Sequence, residues 1–361
     1  LLSIISAPAP GSNWRRSIKE SMRVEDFDYD LPEELIAQDP LEPRDASRLL
    51  IMERQGGGLR HSHFYRLGEE LRSPDILVIN DTKVLPARLF ARRGSGAIVE
   101  VMLLRQLELD LWQCLVKPGK KALPGTELFF DLPELQAVVE GHGEDGTRLI
   151  RFHAEGDFWA LLDRLGTMPL PPYIKKPLAD QDRYQPVYAR EKGSVAAPTA
   201  GLHFTPRLMQ ELQAQGIGIA KVMLHVGLGT FRPVKADTVE GHTMHGEFYR
   251  LPGEAADAIK AARAAGGRVI AVGTTAVRTL ETAAAEDGSL TAAEGWTHKY
   301  IYPGYRFKIV DGLITNFHLP KSTLIMLVAA FAGREQVLAA YEAAIAEQYR
   351  FYSFGDAMLI L

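Results

Sequence analysis

The sequence predicts an α/β protein, in which a large α/β domain carries an inserted, small antiparallel β-barrel. Three observations predict it. Apolar runs such as "DILVIN" (75–80) and "RVIAVG" (268–273) have the length and composition of buried strands. From about Thr205 onward, strand-like and helix-like segments alternate. Between Ala87 and His153 the texture changes to six short alternating segments separated by turn signals, as in a small barrel or sandwich.

Taken in order, "SRLLIMER" (47–54) reads as a strand ended by Gly56–Gly58, and "DILVIN" as the next. The six segments of the inserted unit are "RLFARR", "AIVEVMLL", "DLWQCLV", "TELFF", "QAVVE" and "TRLIRFH", parted by "RGSGA", "KPGKK" and "GHGEDG". "GDFWALLDRLG" (156–166) is helical and leads into the proline-rich "MPLPPYIKKP". "PRLMQELQAQG" is a helix with a terminal Gly, "IGIAKVMLHV" a strand, "EAADAIKAARAAGG" an Ala-rich helix and "RVIAVG" a strand. "TTAVRTLETAAA", "STLIMLVAAFAG" and "EQVLAAYEAAIAEQY" are helices. The expected division is a discontinuous α/β domain (22–86 and 154–361), a β domain (87–153), and a disordered or non-native N-terminal extension (1–21).

Composition narrows the function classes. The 361 residues are 46% hydrophobic and 24% charged, enough for a sizeable core. The single cysteine, Cys114, excludes an internal disulfide and a cysteine-built zinc site and fits a reducing cytoplasm. A net charge of -4 excludes a bulk polycation, so nucleic-acid contact must come from a local basic surface. The segment 87–153 holds as many Lys and Arg as Asp and Glu and is no generic basic clamp. The most apolar run, "TLIMLVAAF" (323–331), is about half a membrane crossing, so a soluble protein is expected.

Six polar, glycine-bearing stretches fall at joints between elements, where α/β proteins place ligands. In "SVAAPTAGLHFT" (194–205), Pro198, Thr199, Gly201 and His203 stand in a stretch without Asp, Glu, Lys or Arg. "LHVGLGTFRP" (224–233) carries His225, Gly227, Gly229 and Thr230; it lacks the helix-opening G-x-G-x-x-G, so its glycines serve a sharp turn or a flat ligand. In "RVIAVGTTAVRTLE", Gly273, Thr274 and Thr275 form a strand-to-helix corner suited to a carboxylate or phosphate, unless the threonines only cap the helix and Arg278 only pairs with Glu281.

"GHTMHGEFY" (241–249) admits two readings. A helix would align His242 and His245 for a metal, with Glu247 and a third histidine, as in a metal-dependent hydrolase. A strand would place His245 and Glu247 on one face as a proton-transfer pair; the alternation of "EFYRL" favours it. "DGLITNFHLPKST" offers Asn316, His318 and Ser322, the last also a good N-cap. "YRFYSFGDAM" offers Tyr352 and Asp356, the latter also fit to cap a turn. No G-x-S-x-G, H-E-x-x-H or P-loop occurs. A non-catalytic RNA-binding protein is a further alternative, weakened by the lack of a basic stripe.

Together these stretches resemble the S-adenosylmethionine:tRNA ribosyltransferase-isomerase family of queuosine biosynthesis. The likeness runs from "FDYDLPEELIAQDPLEPRDASRLL" (27–50) through "VINDTKVLPARLF" (78–90), "LPPYI" (170–174) and "DRYQPVYA" (182–189) to "YRFYSFGDAMLI" (349–360). Small departures are "SPDIL" for a usual Gly-Asp pair, Pro186 for Thr and Gly246 for Ser; residues 87–153 match least. The resemblance implies transfer and isomerisation of the ribosyl part of S-adenosylmethionine onto 7-aminomethyl-7-deazaguanine at the tRNA wobble position. Epoxyqueuosine-tRNA forms, and adenine and methionine leave. It implies S-adenosylmethionine as co-substrate, tRNA as partner, no prosthetic group, no metal and a cytoplasmic monomer.

On that basis the catalytic pool is His203, His225, His245, Glu247 and His318. Substrate binding is expected of Pro198, Thr199, Gly201, Gly227, Gly229, Thr230, Gly273, Thr274, Thr275, Arg278, Asn316, Ser322, Tyr352 and Asp356. Phosphate contacts are expected of Arg44, Arg48, Lys83 and Arg88, which flank family motifs, and of Lys175 and Lys176 beside "LPPYI". The stretch 194–205 becomes a thin wall of the cleft.

Overall fold

A computed structural model of the chain describes residues 21–227 and 234–361. The extension expected over 1–21 therefore lies outside the described residues but for its last position. The expected site residues Gly229 and Thr230 lie outside them as well.

The N-terminal strands are β1 (Arg48–Met52), β2 (Leu59–His63), β3 (Ile76–Asn80) and β4 (Thr82–Val84). Next come β5 (Arg88–Arg93), β6 (Ile98–Gln106), β7 (Leu111–Lys117), β8 (Glu127–Phe129), β9 (Leu135–His142) and β10 (Arg148–Ala154). These six close into an antiparallel barrel in the order β10-β7-β6-β5-β8-β9. Alternation fills it: Leu89, Ala91, Val99, Val101, Leu103, Trp112, Cys114, Ala137, Val139, Ile150 and Phe152 point inward and are buried. Burial pushes the Cys114 thiol pKa well up. Helix α1 (Phe158–Leu165), with Leu161 and Leu162, packs on the same core.

After the barrel come β11 (Glu191–Ser194), α2 (Pro206–Ala214), β12 (Gly218–Leu224), β13 (Glu247–Leu251), α3 (Gly253–Ala264), β14 (Val269–Val272), α4 (Thr274–Ala283), β15 (Ala293–Thr297), β16 (Gly312–Asn316), α5 (Thr323–Ala332), α6 (Arg334–Ala346) and β17 (Ala357–Ile360). A nine-stranded sheet runs β15-β13-β12-β3-β14-β16-β17-β1-β2. Its centre, β12-β3-β14-β16, is parallel. β17 is antiparallel to β16, and β1 is parallel to β17. β4 and β11, on either side of the insertion, pair in parallel with each other.

The central strands are buried on both faces. In β3, Ile76 and Val78 join one core, with Ala276, Val277 and Leu280 of α4 and the aliphatic stripe of α5. Leu77 and Ile79 join the opposite core, with Leu208 and Leu212 of α2. That three-layer arrangement explains the unbroken apolar runs. Among the described residues no single helix is long and apolar enough to cross a membrane; α5 and α6 together meet the length only with a 113° bend.

One sequence expectation changes here. The strand expected through "HTMHGEFY" starts only at Glu247, so His245 precedes the pleat and shares no strand face with Glu247. Gly246 sits against the His298 ring, where an added Cβ would lie 2.8 Å from it.

Candidate functional site

The sheet order brings one set of chain ends together. The C-termini of the parallel strands β12, β14 and β16 face the same edge as the N-termini of β1 and β17. That edge therefore collects His225–Gly227, Gly273–Thr275, Asn316–His318, Ser353 and Ser47. Ligands in open α/β sheets bind there.

The cleft at this edge is lined by Pro198, Thr199, Gly273, Thr274, Thr275, Asn316, His318 and Tyr352 of the expected set. Tyr173, Val226, Thr315 and Ser353 line it too and were not singled out in the sequence. Thr315 ends the buried run "GLIT", which was the available signal. No Asp, Glu, Lys or Arg lines this cleft among the described residues. Gly273 has φ +87°, which gives the corner its sharp turn into α4. Tyr352, a non-glycine at φ +69°, packs against Tyr173 with ring centroids 4.8 Å apart and the rings tilted by 52°.

A second, larger groove lies between the barrel and the α/β part. Its walls are Arg105, Trp112, Trp159, Lys192, Gly193, His225, Gly227, His245, Glu247, Phe248, Trp296 and His298. Val226 lines both compartments. It is held at the junction by Ser194, whose Oγ accepts from its N–H at 2.9 Å.

Glu247 is buried and pairs with the equally buried Arg278. Its Oε1 also accepts from Gly227 N–H at 2.9 Å. Arg278 donates through Nε to the Lys299 carbonyl, 3.1 Å, and its Nη2 has no partner among the described residues. Arg278 thus does not pair with Glu281, which instead accepts from Tyr305 and from the N–H groups of Lys308, Ile309 and Val310. Although the two stand less than one helical turn apart, Glu281 points to the 305–310 loop and Arg278 to β13.

His225 touches Thr82 Oγ1 through Nδ1 at 2.8 Å, and burial lowers its pKa. Gly193, at φ +149°, gives the ring its room: a Cβ there would lie 2.5 Å from Nε2. His245 is exposed on the groove wall. His318 lines the cleft with Nε2 2.7 Å from Thr315 Oγ1, and burial lowers its pKa to about 3.

Four expected contacts face elsewhere. His203 is fully engaged, with Nδ1 2.8 Å from Ser47 Oγ and Nε2 3.1 Å from Asn316 Nδ2, so both ring nitrogens already have partners. Gly201 packs on Tyr188, whose hydroxyl would meet an added Cβ at 2.2 Å. Ser322 caps α5, accepting from Ile325 N–H at 3.3 Å. Asp356 accepts from the N–H groups of Arg48 and Arg350, both at 2.8 Å, and burial raises its pKa. Backbone donors satisfy Ser322 and Asp356, a ring hydroxyl closes the space at Gly201, and two side chains hold His203.

The expected phosphate contacts are also mostly occupied. Arg44 donates to the Gln185 and Asp182 carbonyls, and Arg48 lies 3.7 Å over the Tyr349 ring. Arg88 pairs with Glu100, Lys175 with Glu33 and Lys176 with Asp39. Lys83 sits on β4, next to the Thr82 that holds His225. Among the described residues no group of three or more His, Cys, Asp or Glu is placed to hold a metal ion, and the helical His242–His245 alignment does not form.

Comparison with known proteins gives a consistent result. A family model described as "Queuosine biosynthesis protein" matches residues 24–360. An S-adenosylmethionine:tRNA ribosyltransferase-isomerase of Moorella thermoacetica is 61% identical over 342 residues, covering 94% of this chain and 100% of that one. Its counterpart in Desulfitobacterium hafniense is 56% identical over 341 residues, with the same coverage. The crystal structure of an S-adenosylmethionine tRNA ribosyltransferase from Thermotoga maritima is 44% identical, covers 93% of this chain and 100% of its own, and superposes with a TM-score of 0.55.

Proposed function

The chain belongs to the S-adenosylmethionine:tRNA ribosyltransferase-isomerase family of queuosine biosynthesis, and from that premise we propose how its two compartments divide the reaction. The enzyme transfers and isomerises the ribosyl part of S-adenosylmethionine. S-adenosylmethionine occupies the uncharged cleft at the strand ends. The acceptor base, 7-aminomethyl-7-deazaguanine at the wobble position, enters the aromatic groove from a splayed anticodon loop. Epoxyqueuosine-tRNA forms there, and adenine and methionine leave. The single observation that carries this division is that Val226 lines both compartments, so two bound substrates meet across one residue.

The groove suits a base because Trp112, Trp159, Trp296 and Phe248 offer flat faces, with Arg105 stacked 4.0 Å over Trp296. Lys83 is the proposed phosphate contact beside it. The sulfonium acidifies the 5′ carbon of the ribose, so one positioned base starts the reaction. His225 is the proposed base. Its lowered pKa leaves it a neutral imidazole at pH 7, with a lone pair to receive the proton. His245 and His318 remain in the proton-transfer pool. Glu247, clamped by Arg278 and Gly227, positions the junction. The barrel, 87–153, acts as a discrete substrate-binding domain. The same reading gives a cytoplasmic monomer with S-adenosylmethionine as co-substrate and no prosthetic group.

Steady-state kinetics with both substrates tests the division. Trp296→Ala should raise KM for tRNA about tenfold or more, the worth of one stacked base, and leave KM for S-adenosylmethionine unchanged. Thr199→Phe, which fills the cleft, should do the opposite. The reverse pattern would exchange the two assignments. His225→Ala should cost about 10²–10⁴ in single-turnover adenine release at saturation; a change within about threefold would move the base to His245 or His318.

A further inference from the structure

Asn316 ends β16, is 2% exposed and lines the cleft. Its Nδ2 lies 3.1 Å from the Tyr352 carbonyl oxygen and 3.1 Å from His203 Nε2. A carbonyl oxygen only accepts, so the amide atom facing it is the nitrogen, and the amide has one orientation. That nitrogen also faces His203 Nε2, which must then carry a lone pair. The ring proton is consequently on Nδ1 and is donated to Ser47 Oγ at 2.8 Å. The ring, stacked 5.0 Å from Phe64, is buried and stays neutral, with its pKa lowered to about 3.

This chain of bonds leaves one atom over. Asn316 Oδ1, on the opposite branch of the amide, is buried and has no partner among the described residues. Thr275 Oγ1, in the first turn of α4 and lining the same cleft, is a second such atom. Buried polar atoms are rarely left unbonded. Two in one cleft, an obligate acceptor and a hydroxyl able to donate, describe the complement of a neutral group with a donor beside an acceptor. The uncharged lining matches the adenosine end of the co-substrate and not its zwitterionic methionine end.

Resting on the reading that S-adenosylmethionine occupies the cleft, we propose that Asn316 and Thr275 determine specificity by reading the amine-bearing edge of its adenine. Asn316 Oδ1 accepts from the exocyclic amine, and Thr275 Oγ1 donates to the adjacent ring nitrogen. Ser47 and His203 are positioning residues: they lock the amide so that its oxygen, not its nitrogen, is offered to the ligand.

The test compares kcat/KM for S-adenosylmethionine with that for its 6-oxo (hypoxanthine) analogue at saturating tRNA. The oxo group replaces the donor by an acceptor and turns the neighbouring ring nitrogen into a donor, inverting the edge. The wild type should prefer the amine by about 10- to 100-fold, the cost of leaving buried groups opposed. Asn316→Leu and the near-isosteric Thr275→Val should each shrink that ratio. His203→Phe should shrink it too, while His203→Gln, whose amide accepts from Asn316 and donates to Ser47, should keep it. The proposal is overturned if the wild type uses both substrates equally, or if the variants slow both by the same factor. A loss seen instead with 2′- or 3′-deoxyribose analogues, and abolished by Asn316→Leu, would overturn the adenine assignment in favour of the ribose. If Thr199→Phe leaves KM for S-adenosylmethionine untouched, the underlying placement of the co-substrate fails, and that outcome is separate from a failure of Asn316 alone.

Discussion

At the scale of single residues, the histidines show what sequence can and cannot reveal. His203, His225 and His318 all stand at strand ends or in polar joints, and the sequence reads them alike. Their roles diverge through contacts that spacing does not encode: Ser47 and Asn316 use both nitrogens of His203, Thr82 turns His225, and Thr315 holds one nitrogen of His318. The same holds for Asp356, where the alternative of a turn cap was legible and the choice between roles was not. Burial of His203 and His318 as neutral rings has a stability consequence. Their folded pKa values, about 3, lie below the unfolded value near 6.5, so the unfolded chain binds more protons between these limits. Stability from each ring is complete above about pH 6.5 and is lost as pH falls toward 3. The loss is about 2 kcal/mol per histidine at pH 5. Thermal melts from pH 7.5 to 5 should show this decline, and His203→Gln should remove about half of the two-histidine contribution.

At the scale of elements, the signal followed burial. Strands β3 and β14 were legible because both faces are buried, and the six barrel strands because their inward positions alternate with turn residues between them. Strands β2 ("LRHSH") and β15 ("AEGWT") were not, because they are edge strands that bury little and carry polar side chains. Strands β4 and β11 are too short to show any period. The helix α5 was legible in both its apolar stripe and its cap, and the cap decides a prediction. Ser322 serves Ile325 N–H and sits outside the cleft lining, so Ser322→Ala should lower stability by about 1 kcal/mol. Denaturant melts should register that loss, with KM for S-adenosylmethionine unchanged. A raised KM would return Ser322 to the substrate contacts.

At the scale of the whole molecule, the edge where the site forms was foreseeable from the strand–helix alternation, whereas the aromatic groove was not. Its tryptophans come from the barrel, from α1 and from β15, and only the closed tertiary structure brings them together. Charge follows the same logic. Lys175 and Lys176 already face Glu33 and Asp39, so replacing them by Gln should leave the salt dependence of tRNA binding unchanged. Lys83→Gln, at the proposed phosphate contact beside the groove, should lower that slope by about one unit. The pairing of β4 with β11 bears on how the chain reaches this state. Adjacent sheet strands β3 and β12 stand on opposite sides of the insertion, and their hydrogen bonding closes a long loop. A barrel that has already closed brings its own two ends together, at the bridge between Arg88 and Thr167, and shortens the loop that remains. Early barrel closure thereby offsets the sequence separation that the insertion itself adds between β3 and β12, and is the faster route to the active edge.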